Sequence, residues 1–349
     1  MRLPRFPLAV PAALLSLVVA ACSFSPSPSG SLPADASFAA ESGDLVVYSG
    51  RTEELVGPII ERFSEESGIE VAVRYGDTAE MANLILTEGE NSPADLYLAQ
   101  DAGALGAVAG ESMLATLPDA TLDLVDERFR SPDGAWVGVS GRARVVAYNT
   151  DNVSPDELPD SIFGFTEPEW SGRIGWAPTN GSFQAFVTAL RVLEGEDRAR
   201  EWLEGIEAND PSVYEGNNPA LDAVVAGEID VAFINHYYLM ERLAQEPDVP
   251  AANLFLSDGD PGALVNVAGV GILGSSDQAD AAQQLVDFLL GEEAQTYFAE
   301  ETKEYPLAAG VHPDPALPAL DEIGTPNIDL SDLSDLEGTL TLLQEVGIL

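Results

Sequence analysis

From residue 44 onward the chain alternates two hydrophobic periods, and that alternation constrains its fold more than any other feature. "DLVVYS" (44–49) is a short, β-branched apolar run, and in "EELVGPIIERFSEESG" behind it Leu55, Ile59, Ile60 and Phe63 fall on one helical face. Pro58 either kinks that helix or marks its first turn, and Gly68 ends it. "IEVAVRYG" follows as a strand, Met81, Leu84 and Ile85 mark a helix, and "ADLYLAQ" (94–100) is the next strand. Strands and helices in this alternation make βαβ units and a mostly parallel sheet.

The rest of the chain keeps the style. "GRIGWAPTNGSF" (172–183) reads as a strand entering a helix that carries Phe183, Phe186, Val187, Leu190 and Leu193 on one side. In "NNPALDAVVAGEIDVAFIN", Asn218 suits the N-cap, Pro219 the first helical position and Gly227 the stop, and a strand then delivers Tyr237. Asp277 can cap a helix holding Leu285, Val286, Phe288 and Leu289, and a last helix covers 333–346. Two long extended segments, 136–150 and 260–273, are candidates for strands that cross between lobes. The expected fold is therefore α/β, with two lobes joined by a hinge and a ligand cleft between them. Residues 44–141 plus 268–318 form lobe 1, and 142–267 plus 319–349 form lobe 2. In open α/β sheets ligands sit beyond the carboxyl ends of strands, so the loops there are the place to search.

The start of the chain gives an address. Arg2 and Arg5 precede the apolar run "LAVPAALLSLVVAA" (8–21), which is too short to span a bilayer and fits the core of a signal peptide, residues 1–21. It stops at Cys22, the one cysteine, so no internal disulfide can form. Val19, Ala20 and Ala21 resemble a lipobox, which implies cleavage before Cys22 and lipidation of its thiol. Residues 22–43, rich in Ser, Pro and Ala, then read as a flexible tether. The expectation is a soluble body outside the cytoplasm, held to the outer face of the cell membrane only by its lipid.

Formal net charge is −44, and without Arg2 and Arg5 only 13 basic residues face 59 acidic ones. Nucleic acid is excluded as a partner. Lys303 is the sole lysine, and the acids are spread through apolar-patterned elements instead of forming a tail. Either a saline habitat, where salt relieves self-repulsion, or a generally acidic proteome accounts for this.

Three strand ends invite chemistry, each with a plainer reading beside it. Asn180, Gly181 and Ser182 stand just ahead of a helix, where free N–H groups favour an anion, although turn and cap preferences also explain them. Arg51 occupies the first strand-to-helix turn, as an anion contact or as an ordinary ion pair. Tyr237 and Tyr238 adjoin where "DVAFIN" gives way to a helical pattern. Neighbours in a regular strand or helix diverge, but at a turn between the two, consecutive phenols can converge on one point; packing of both rings is the alternative. There is no GxSxG, no nucleophile paired with a histidine and no zinc-type cluster, so an enzyme is not expected. His236 and His312 read as structural.

"VVYSGRTEELVGPIIERF", "SPADLYLAQ", "SGRARVVAYNT", "RIGWAPTNGSF", "GEIDVAFINHYY", "DPGALVNVAGVGIL" and "EYPLAAGV" occur together and in order, and on them the chain resembles the bacterial ferric-ion-binding proteins of ABC iron-uptake systems over 44–312. The resemblance implies a type II periplasmic-binding-protein fold that closes on Fe³⁺ and passes it, as a monomer, to a membrane permease and its ATPase. It makes Tyr237 and Tyr238 iron ligands and Tyr148 the third phenolate. It assigns Asn180, Gly181, Ser182, Asn217 and Asn235 to a synergistic anion, with Arg51 on that anion as well. Thr52 and Gln100 replace the histidine and glutamate of some members, which favours phenolates with carbonate or bicarbonate, phosphate being second choice. The same fold holding a small organic or oxyanionic solute is the alternative.

Overall fold

The computed structural model describes residues 44–308 and 310–349. The leader, Cys22 and the tether lie outside the described residues.

Ten strands are described: β1 (Leu45–Ser49), β2 (Val71–Tyr75), β3 (Leu96–Ala99), β4 (Val137–Asn149), β5 (Ile174–Trp176), β6 (Ser212–Val213), β7 (Val231–Asn235), β8 (Ala251–Leu254), β9 (Val265–Ile272) and β10 (Tyr305–Pro306). β2, β1 and β3 run parallel, as the βαβ pattern requires, while β9 pairs antiparallel with both β3 and β4. β10 adds antiparallel to β4. On the other side β4 pairs antiparallel with β7 and β8, and β7 continues in parallel through β5 to β6. The sheet is thus mixed, and its antiparallel share comes from the two long segments at 136–150 and 260–273.

The architecture is α/β with two lobes, and β4 belongs to both. Its first half, to Ala143, pairs with β9; from Arg144 it pairs with β7. All thirteen residues of β4 are buried, because helices or strands cover both its faces. The second long segment is shorter than expected: β9 begins at Val265, after a 3₁₀ turn at Pro261–Ala263 capped by Asp260.

Local signals explain most helix ends. Gly68 takes φ 73° at the end of the helix Glu53–Ser67 and donates to the Ser64 carbonyl at 3.0 Å. Pro58 lies within that helix, not at its first turn. Gly227, at φ 71°, stops the helix Asn217–Ala226, but this helix starts before the expected cap, with Asn217 already in its first turn. The last helix is Leu336–Val346, preceded by a 3₁₀ turn at Leu330–Ser334. Asp335 caps it, accepting from the Gly338 N–H at 3.0 Å.

Beneath the second lobe's part of the sheet, Phe165, Trp170, Trp176, Phe183, Phe186, Trp202 and Phe233 are buried in successive ring contacts, with centroids 4.9–6.4 Å apart. This core fixes the helix Gly181–Glu194, whose first turn reaches the site. No described helix is long and apolar enough to cross a membrane.

Candidate functional site

β7 ends at Asn235, and the helix His236–Gln245 begins with the next residue, so Tyr237 and Tyr238 occupy the first turn beyond a strand's carboxyl end. Their rings stack, with centroids 4.2 Å apart and planes inclined by 28°. Tyr237 is 7 % exposed and Tyr238 is half-buried. Two adjacent helical residues would normally splay apart, so this stacking brings the two phenols to one place.

His236 supports the turn. The Ala143 N–H donates to its Nδ1 at 3.1 Å, and its Nε2–H donates to the Lys303 carbonyl at 3.0 Å, which fixes a neutral ring. Burial lowers its pKa to about 4, in keeping with that state. The ring therefore joins the tyrosine helix to β4 at the residue where β4 changes partners. Replacing His236 with Ala leaves a buried N–H and a partly buried C=O unpaired; a loss of about 2–4 kcal/mol of stability is expected in thermal or denaturant melts.

Facing the tyrosines is a group of buried arginines. Among the described residues Arg51, Arg142 and Arg144 are each 2–4 % exposed, in a chain with only 15 basic residues. Arg51 Nη2 donates to both Glu304 oxygens at 2.9 and 3.0 Å. Glu304 also accepts from Ser140 Oγ at 2.9 Å and Thr302 Oγ1 at 3.2 Å, with Arg142 Nε 3.8 Å away. Arg142 donates to the Gln100 carbonyl. Arg144 donates to Asn235 Oδ1 at 3.1 Å, to Ser182 Oγ at 3.3 Å and to the Phe233 carbonyl at 2.9 Å. The Nε–H groups of Arg51 and Arg142 find no hydrogen-bond partner.

Three guanidinium groups against the carboxylates of Glu304 and Asp101 leave a local positive excess, opposite in sign to the protein as a whole. Burial pulls Arg144 down to about 10, while Tyr238 and Tyr237 act to hold its charge. Tyr237 is pushed well above 10 by burial first and by Tyr238 next, with Arg142 and Arg51 pulling the other way. Metal-free Tyr237 is therefore a phenol, and a cation bound there must displace its proton.

Gln100, Asp101, Arg142, Arg144, Ser182 and Asn235 are among the residues enclosing a cavity of about 10 Å³, room for one small polar group. Gly181 also lines it, and a Cβ at that position would meet open space. Asn180 Oδ1 accepts from the Ser182 N–H at 3.0 Å and from Ser182 Oγ at 2.6 Å, while Asn217 Nδ2 reaches both residues at 3.3 Å. Asn180, Ser182, Asn217 and Asn235 thus meet in one hydrogen-bond network with Arg144, with Gly181 beside it in the cavity wall.

Two expected positions differ. Tyr148 is not brought to the pair: it lies opposite Val231, four residues beyond the Arg144–Asn235 pair, or ~13 Å along the strand at about 3.3 Å per residue. Its ring is buried in the hydrophobic core. Arg51 is turned to Glu304 and does not line the cavity; Arg142 and Arg144 do. Sequence reading missed both, although "GRARVV" carried a signal. Arginines two apart on a largely apolar strand share one face, and no bulk solvent is available to them there.

Buried anion donors and paired phenols in a cleft between two α/β lobes define a solute-binding protein. Residues 91–332 match the family model described as bacterial extracellular solute-binding protein. The "Fe(3+)-binding periplasmic protein" of Serratia marcescens is 32% identical over 308 residues, covering 87% of this chain and 90% of that one. Iron-bound HitA from Pseudomonas aeruginosa superposes with a TM-score of 0.81 at 36% identity, covering 87% of this chain and 99% of that one. Trichodesmium FutA, solved with iron and citrate ligands, gives a TM-score of 0.76 at 28% identity, covering 87% and 99%. The chain belongs to the bacterial extracellular solute-binding protein family.

Proposed function

We propose that this protein captures Fe³⁺ outside the cytoplasm and delivers it to an iron-uptake ABC transporter. The observation that carries this reading is the stacked pair Tyr237 and Tyr238 facing a buried arginine group. Fe³⁺ is a hard ion that suits phenolate and carboxylate oxygens, and its charge can hold phenols deprotonated at neutral pH. The names of the relatives support the same cargo.

In this reading Tyr237 and Tyr238 ligate the ion. Arg142 and Arg144 hold a small synergistic anion against it, together with Asn180, Gly181, Ser182, Asn217 and Asn235. Carbonate or bicarbonate is the anion of this reading because the cavity is small; citrate, present in the Trichodesmium structure, is larger. Arg51 acts through Glu304 and its charge. The stretch of β4 around Ala143 and Arg144, where its partner changes, serves as one hinge strand, with 44–141 plus 268–318 on one side and 142–267 plus 319–349 on the other. The receiving partners are a permease and its ATPase, and lipidated Cys22 with the tether behind it anchors the body to the membrane. The protein acts by binding and release, with no catalytic step.

Because each phenol gives up one proton on ligation, two tyrosines release two. Affinity corrected for ferric hydrolysis should then rise with pH, by about two decades per unit between about pH 5.5 and 7.5. Competition against a chelator of known affinity, with proton release followed in weak buffer, measures this. A pH-independent affinity with no proton release would favour an organic or oxyanionic solute.

A further inference from the structure

The helix that bears the two tyrosines also carries an acidic side chain, Glu241. Glu241 stands four residues after Tyr237 and three after Tyr238 in the helix His236–Gln245, spacings that place it on the face they share. Helical side chains lean toward the helix N-terminus, so that of Glu241 covers the turn that bears both phenols. It is half-buried and makes neither a hydrogen bond nor an ion pair, whereas its neighbour Arg242 is paired with Asp222 on the outer side. Its charged neighbours are Glu304 and Arg51, which are also neighbours of Tyr237.

The helical spacing sets Glu241 one turn behind the two phenols, and the charges of Glu304 and Arg51 act on it as they do on Tyr237. Burial first, and Glu304 next, raise its carboxyl above the usual range, with Arg51 opposing. A half-buried carboxyl group with no partner is an unrewarded cost in the metal-free protein. A hard trivalent ion between the phenols removes that cost, since carboxylate oxygen belongs to its preferred donor set.

We propose that Glu241 gives a carboxylate oxygen to the same Fe³⁺ that Tyr237 and Tyr238 bind, so that two turns of a single helix supply every protein donor. This rests on the ferric reading of the site. One helix would then hold the ion while the arginines and the asparagine and serine network close on it with the anion.

The test compares the full protein with Glu241→Gln and Glu241→Asp in titrations with ferric nitrilotriacetate in bicarbonate buffer. Visible phenolate-to-iron absorbance and competition with citrate are the readouts, and thermal melts check the fold. The expected result for Glu241→Gln is an unchanged melt, a shifted absorbance maximum and binding at least ~10–100-fold weaker, the range for losing even a group that only supports a ligand. Glu241→Asp, which keeps the carboxylate on a shorter arm, should fall between. Affinity within threefold of the parent with the same band overturns the inference, and so does weaker binding with an unshifted band, which marks a distant charge effect. No band in the parent protein would instead overturn the ferric reading on which this inference stands.

Discussion

Tyr237→Phe or Tyr238→Phe should each weaken ferric binding by more than ~100-fold, beyond what the loss of a supporting group costs, while leaving the fold intact. The change deletes one oxygen and keeps the ring, so the 4.2 Å stack survives. Neither hydroxyl makes a hydrogen bond to another described residue, so no partner is orphaned in the metal-free protein. The two phenols act on one ion, and the double variant should lose the visible band altogether. Difference spectra with ferric citrate measure this for each variant. Single variants that keep both full affinity and the parent band would show that the pair is there for packing.

Glu304→Ala should cost about 3–5 kcal/mol of stability, the effect expected when one member of a buried ion group is removed. The group spans the chain: Arg51 and Glu304 are 253 residues apart, and Ser140 and Thr302 complete the carboxylate's shell. Without Glu304 the guanidiniums of Arg51 and Arg142 remain buried and lose their shared counter-charge, leaving only the weaker pull of Glu241 on Arg51 and of Asp101 on Arg142. At about 2–4 °C per kcal/mol for a protein of this size class, the melting temperature should drop by roughly 6–20 °C. Arg51→Met together with Glu304→Leu should recover part of the loss, because an apolar pair needs no charge balance. A melt within 2 °C of the parent for Glu304→Ala would mean that water reaches the group, contrary to its 1–2 % exposure.

Much of this was legible in the sequence because local chemistry decides it. β-branched runs, one-sided helices and left-handed glycines at 68 and 227 need only neighbours to be read. The turn that carries Tyr237 and Tyr238 is of that kind, since a strand of four apolar residues ending in Asn235 runs straight into a helical pattern. The start of the helix at Asn217 was displaced from Asn218 and Pro219 because Asn217 is claimed by contacts with Asn180 and Ser182, from another element.

What local pattern does not carry is register and distant pairing. Tyr148 ends an apolar run in sequence, yet β4 passes through the site at its middle, where its partner changes from β9 to β7, so the end of the run lies in the core. Arg51 has the right local address for an anion contact, but Glu304 claims it from the other end of the chain. Arg142 and Arg144 escaped notice because a charged residue on a buried strand looks anomalous until the cleft it faces is known.

The measurement that bears most directly on the account is a titration of the protein with ferric citrate, with and without bicarbonate, followed by visible absorbance. A coloured complex of one iron per protein that strengthens when bicarbonate is present is the predicted result, with two phenolates on the ion and a small anion on Arg142 and Arg144. An absence of colour under both conditions would contradict it, leaving the tyrosine stack as packing and the arginine-lined cavity as the site of a different solute.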